Sequence, residues 1–181
     1  LEQDKVRYQT IYASQLGAAA APTAGLHFTP EILRNIKNKG TTISELTLHV
    51  GLGTFRPVSS DHIKDHIMHE ESYHISQETA DSLNQSKKSN GRIVAVGSTS
   101  VRTLESLSEL KETSGRTDLF IYPPYSFKFV DAILTNFHLP QSSLLMMMAA
   151  FTGYDFLMEA YQEAIKQKYK FFSYGDCMLI L

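Results

Sequence analysis

Between Glu45 and Val50 polar and apolar side chains alternate. Leu46, Leu48 and Val50 stand against Glu45, Thr47 and His49, the two-residue repeat of a half-buried strand, which Gly51-Leu52-Gly53 stops. Upstream the period is helical: Thr29 can cap, Pro30 suits a first helical position, Ile32, Leu33 and Ile36 share a face, and Gly40 ends a helix over 30–39. A polar stretch with Tyr73 and Ile75 at its end precedes Ser76, which predicts the cap of a helix running to about Lys88, with Asn90-Gly91 as exit. Arg92 to Val96 reads as an apolar strand bounded by Gly97, and Val101, Leu104 and Leu107 as one face of the helix that follows. Asp118–Tyr122 and Val130–Leu134 are strand candidates separated by Pro123-Pro124. Ser142 to Phe151 is apolar on all sides and predicts a buried helix; Leu157, Ala160, Tyr161, Ala164 and Ile165 predict another. Phe171 to Leu181 reads as a strand-like pair around Tyr174-Gly175-Asp176.

Strands alternating with helices predict an α/β fold, a largely parallel sheet flanked by helices, with residues 1–181 as one α/β domain free of internal repeats. In such sheets ligands bind outside the carboxyl ends of the strands. The loops 51–56, 97–100, 135–138 and 174–176 each follow a predicted strand, so a common crevice is expected, provided the strands run the same way.

Composition narrows the class. The chain has 181 residues, 43% hydrophobic and 20% charged, which fits a globular domain and excludes a disordered, collagenous or coiled-coil chain. Its longest apolar run, Leu144–Phe151, is far shorter than the ~20 residues of a membrane helix. With no leader pattern in view, the expectation is a soluble, cytoplasmic protein with no membrane partner. Cys177 is the one cysteine, so no internal disulfide is available. Seventeen basic against nineteen acidic side chains give a net charge of −2, so a polyanion would be held by local patches such as Arg34/Lys37/Lys39, Lys87/Lys88/Arg92 and Lys166/Lys168/Lys170.

Several segments carry chemistry. Gly97-Ser98-Thr99-Ser100 before a helix offers N–H groups and hydroxyls to a carboxylate or phosphate, and Arg102, one turn in, could add a charged contact; a plain glycine turn is the alternative. The GxxxxGK[ST] pattern of a phosphate-binding loop is absent, which weighs against a nucleotide hydrolase. His27 can act as base or donor near neutral pH and Phe28 can stack, or the segment is a structured turn. His49 lies opposite the apolar stripe. His62, His66 and His69 lack the HExxH pattern, so no metal site is expected there, while the neighbouring Glu70 is a candidate general base. Asn136 can read a base edge and His138 can move protons. Met146-Met147-Met148 suits core filling.

Seven segments together resemble one family. They are Tyr8–Ala13, Ala20–Thr29, Thr47–Val58, Met68-His69-Glu70, Ala95–Glu105, Thr135–Pro140 and Phe172–Asp176, and their order resembles that of the S-adenosylmethionine:tRNA ribosyltransferase-isomerase family of the queuosine pathway. The resemblance implies transfer and isomerisation of the ribosyl part of S-adenosylmethionine onto 7-aminomethyl-7-deazaguanine at the wobble position of tRNA, giving epoxyqueuosine, adenine and methionine. It implies S-adenosylmethionine as a substrate, no metal and no further cofactor, tRNA as partner, and a monomer. The family's chains are about twice as long, so its inserted β-barrel domain is expected to be absent or represented only at its edge near residues 1–10. Carried over, His27, His49, Glu70 and His138 are the candidate proton carriers. Substrate contacts are implied at Thr23, Gly25 and Phe28; at Gly51, Gly53, Thr54, Phe55 and Arg56; at Gly97, Ser98, Thr99, Ser100 and Arg102; and at Asn136, Tyr174, Gly175 and Asp176. A truncated, non-catalytic module that binds tRNA or a nucleotide is the alternative.

Overall fold

The computed structural model describes residues 7–15, 17–51 and 62–181. Two helices begin at the caps expected from the sequence, and a third is capped in the same way. Thr29 accepts from the N–H of Ile32 at the head of α1 (Pro30–Asn38), Ser76 from Thr79 at α2 (Gln77–Lys88), and Ser142 from Leu145 at α4 (Ser143–Thr152). α3 (Ser98–Ser106) follows Gly97, and α5 (Tyr154–Lys166) follows Gly153, whose φ of +84° lets one residue end α4 and start α5. A 3-10 turn, Thr23–His27, precedes α1.

The strands form two three-stranded sheets. β1 (Thr47–His49), β2 (Glu71–Ile75) and β4 (Thr113–Thr117) pair in the order β1-β2-β4, all antiparallel. β3 (Val94–Val96), β5 (Ala132–Asn136) and β6 (Cys177–Ile180) make the second sheet, in which β3 and β5 are parallel and β6 runs against β5. The fold is α/β as expected, but β3–β5 is the only parallel pair among the described residues, which corrects the largely parallel sheet. The 97–99, 135–138 and 172–173 segments nevertheless reach the same edge. β6 enters where β5 ends, with Asn136 opposite Cys177, so a loop before an antiparallel strand takes the place of one after a parallel strand.

Other differences have physical causes. β2 reads as polar because Glu71 occupies a core position; with Tyr73 and Ile75 it forms the inward face. β4 has no apolar residue, and is held by register: Gly115 lies opposite Tyr73, and a Cβ there would stand 2.9 Å from the Tyr73 hydroxyl, so the glycine makes room for the ring. Asp118–Tyr122 is not a strand; the Thr117 and Leu119 carbonyls turn to Arg102. β5 starts two residues later than expected, since the Asp131 carboxylate is taken by the Ile93 N–H and Lys87. The expected strand pair at 171–181 is the single strand β6, preceded by a turn in which Asp176 accepts from the Lys170 N–H at 2.7 Å. In α5 Leu157, Tyr161 and Ala164 are buried, whereas Ala160 and Ile165 face outward. No residue of α1 is buried.

The core joins both sheets: Ile75, Ile93, Ala95, Val101, Leu104, Ile133, Met147, Met148, Leu157 and Tyr161 belong to one cluster. α3 lies at its centre, packed against β3, β4 and β5. Arg102, 1% exposed, pairs with Glu71 at 2.9 Å and donates to the carbonyls of Leu119, Thr117 and His69. Burial lowers its pKa, and Glu71 and Asp118 oppose that shift. Removing one member of a buried pair strands the other, at a cost of about 3–5 kcal/mol. Arg102→Met is therefore expected to lower stability by about that amount in urea denaturation, with Arg102→Met/Glu71→Met recovering part of it; a loss below about 1 kcal/mol would show that the clamp does not hold the sheets.

Candidate functional site

The pocket begins at a helix end. Gly97 donates to the Leu134 carbonyl at 2.8 Å, which sets the start of α3 beside the carboxyl ends of β3 and β5. Its φ of +88° lies in the region that favours glycine. No side chain caps α3, and the Ser100 hydroxyl donates back to the Val96 carbonyl at 2.8 Å. The first N–H groups of the helix thus lack intrahelical partners and carry the positive end of its dipole.

The facing wall comes from β5 and the 170–176 turn. Asn136, 3% exposed, donates through Nδ2 to the Phe172 carbonyl at 3.1 Å and to His27 Nε2 at 3.3 Å. The Phe172 carbonyl fixes which way the amide points, so Oδ1 is the atom left buried without a hydrogen-bond partner among the described residues. His138 Nε2 lies 2.8 Å from Thr135 Oγ1, and its N–H donates to the Tyr161 hydroxyl at 2.9 Å. Desolvation pushes the His138 pKa down to about 4 and that of Tyr161 up to about 12, so both are neutral at pH 7.

These groups enclose a cavity of about 40 Å³, lined by residues 21–24, Val50, 97–99, 135–138, Leu144, Phe172 and Ser173. None of the described lining residues is Asp, Glu, Lys or Arg. Among them a triphosphate-hydrolase reading of the Gly97 loop finds no charged side chain to hold phosphates or a metal.

Of the residues singled out by sequence, Thr23, Gly97, Ser98, Thr99, Asn136 and His138 line this pocket, and His27 joins it through Asn136. Others stand elsewhere. Arg102 is not a ligand contact at the pocket, because its guanidinium is committed inside the fold to Glu71 and three carbonyls. Glu70 pairs with Arg116 at 3.2 Å on the exposed surface. His49 is half-buried against Gly17, where a Cβ would lie 3.0 Å from its Nδ1. Gly25 gives room to Tyr12 and Thr10, and Gly175 to the Lys170 carbonyl; both serve close packing. Phe28 and Gly51 are half-buried outside the lining, Ser100 is occupied by its own helix, and Asp176 closes its turn. Tyr174 stacks on Tyr8 at 5.5 Å. Gly53, Thr54, Phe55 and Arg56 lie outside the described residues. His66 packs edge-on to Phe120, and His69 offers its carbonyl to Arg102.

Sequence reasoning missed Thr135 and Phe172. Thr135 sits in a strand interior, with no signal until its hydroxyl meets His138. Phe172 acts through its carbonyl, presented by a backbone at φ +74° that no side-chain pattern announces.

Fold and pocket together define an α/β protein with a candidate site in the pocket at the carboxyl end of β5. A family model described as Queuosine biosynthesis protein matches residues 1–180, and the chain belongs to that family. Proteins of Thermotoga petrophila and Thermotoga maritima named S-adenosylmethionine:tRNA ribosyltransferase-isomerase are 58% identical over 178 residues, 97% of this chain and 53% of theirs. The crystal structure of the S-adenosylmethionine tRNA ribosyltransferase from Thermotoga maritima superposes with a TM-score of 0.74 at 52% identity, covering 87% of this chain and 51% of that one. The chain spans about half the length of the curated relatives it matches.

The His138 environment gives a pH signature. Its folded pKa of about 4 lies below the unfolded value near 6.5, so below pH 6.5 the unfolded chain takes up a proton that the folded one refuses. Stability is therefore lost as pH falls from 6.5 to 4, by on the order of 3 kcal/mol from this group. Denaturation curves across that range should be flatter for His138→Gln than for the unaltered protein; parallel curves would mean that the imidazole is not desolvated.

Proposed function

We propose that this chain supplies the α/β part of a queuosine-pathway enzyme that transfers and isomerises the ribosyl group of S-adenosylmethionine onto 7-aminomethyl-7-deazaguanine in tRNA. The observation that carries this reading is convergence: residues as far apart in sequence as Thr23, Gly97 and His138 meet around one neutral pocket, inside a chain 58% identical to enzymes of that name. The family's β-barrel domain falls outside this chain on the same reading, and the remainder of the site comes from the length that the chain does not span.

The chemistry assigns work to the groups present. The sulfonium acidifies the adjacent ribosyl methylene, a base must take that proton, adenine must leave, and the incoming amine must lose a proton. Among the candidates, His27 and His138 stand at the pocket. His27 Nε2 lies 3.3 Å from Asn136 Nδ2, which sets an imidazole beside the pocket as the candidate base. His138, with its lowered pKa, serves as a neutral hydrogen-bonding group that orients substrate. Glu70, paired with Arg116, and His49, packed against Gly17, lie outside the pocket and are assigned none of these steps. Exposed Arg34 and Lys37 on α1, beside Ile11 and Tyr12, offer phosphate contacts, whereas Lys87 is already paired with Asp131.

Adenine release from S-adenosylmethionine in the presence of substrate tRNA tests the reading. The 181-residue chain is expected to melt cooperatively yet release no adenine, and to gain activity when the unmatched half of the Thermotoga maritima relative is supplied in trans. In that pair His27→Gln should lower adenine release by about 100-fold or more. Turnover by the chain alone would show that the site is not shared, and a folded, reconstituted pair without adenine release would overturn the function.

A further inference from the structure

Two unsatisfied features meet in the pocket. One is the uncapped start of α3, where the first N–H groups lack intrahelical partners and the Ser98 and Thr99 hydroxyls make no hydrogen bond among the described residues. This end attracts a negative group. The other is Asn136 Oδ1, a buried acceptor that has no donor among the described residues while its own Nδ2 is used twice. An acceptor left bare in that way costs stability unless a ligand donates to it.

The neutrality of the lining narrows the occupant further. A phosphate group would call for Lys or Arg, and a lone cation for a carboxylate, and the described residues of the lining include neither. The cavity is small, about 40 Å³. What remains is a small end group carrying both an anion and an N–H donor with no net charge. We infer that the cavity is the subsite for an α-amino-acid head group, its carboxylate on the α3 N-terminus with Ser98 and Thr99, and its ammonium on Asn136 Oδ1. This inference rests on the proposed function for its source, since the amino-acid head group is then that of the methionine part of S-adenosylmethionine. The nucleoside extends outward from the cavity, and the methionine released by the reaction leaves from the same subsite.

The test is a binding series on the protein, with amide shifts recorded at Ser98, Thr99 and the Asn136 side chain. The probes are S-adenosyl-L-homocysteine, its analogues lacking the α-carboxylate or the α-amine, adenosine, and L-methionine. Deleting the carboxylate should weaken binding about 10-fold or more. Loss of the amine should cost about 10-fold in the unaltered protein and less than about 2-fold in Asn136→Leu. Should Asn136→Leu fail to fold, the Asn136 side-chain resonance decides: it must move with S-adenosyl-L-homocysteine and stay put with the des-amino analogue. Adenosine binding as tightly as S-adenosyl-L-homocysteine, or an amine deletion equally costly in both proteins, overturns the subsite and leaves the proposed function standing. Shifts with L-methionine but with no S-adenosyl compound would keep the subsite and overturn the function; no shift with any probe overturns both.

Discussion

Burial removes water from every N–H group of Arg102, so the protein itself must supply their acceptors. It does so from several elements: the Glu71 carboxylate on β2, the Thr117 carbonyl ending β4, and the carbonyls of His69 and Leu119 in the flanking chain. One turn along the same helix, the Glu105 carboxylate accepts from the N–H groups of Lys128, Phe129 and Val130, where the chain approaches β5. Two opposite charges spaced i, i+3 on α3 thereby engage two stretches of backbone that have left their strands. A lysine could not replace the arginine, because a single ammonium lacks the planar fork that reaches several acceptors in fixed directions.

That commitment shapes the pocket as well as the core. With its charged side chains spent on the fold, α3 brings only its backbone dipole and two hydroxyl residues to the cavity. Its axial setting decides where Gly97 meets Leu134, and so where the free N–H groups stand relative to Asn136. The opposing wall is tuned by burial instead: His138 is kept neutral by lack of solvent, and Tyr161 holds its backbone. An uncharged chamber with one polarised end favours neutral, dipolar ligand groups over ions.

Much of this was readable along the chain, and the failures share a cause. Two helix starts were legible because capping is local: Thr29 and Ser76 each act within four residues. β3, β5 and the apolar α4 were legible as elements because each carries a hydrophobic run of its own. β2 and β4 were not, since what makes them strands is distant: a carboxylate answered by Arg102, and a glycine under the Tyr73 ring. Five of the implied contacts, joined by the candidate proton carrier His138, gathered at the pocket because glycine, hydroxyl and amide groups at the ends of elements have few structural uses there. Arg102 misled for the opposite reason. An arginine one turn into a helix looks the same in sequence whether it faces a ligand or an interior carboxylate, and only its rotation about the helix axis separates the two.

The turn at 170–176 brings time into the account. Phe172 and Ser173 complete the pocket wall, and the Phe172 carbonyl orients Asn136, yet these residues follow all five helices in chain order. A ribosome that has delivered α5 has made a nascent chain with most of its core residues and β5 still lacking its β6 neighbour, so Asn136 has no carbonyl to aim it. Domains condense as their segments emerge, and here the pocket closes only after α5 has been made. Until then the edge of β5 is open to other strands, so prompt arrival of β6 both finishes the site and shields the newborn protein from mispairing.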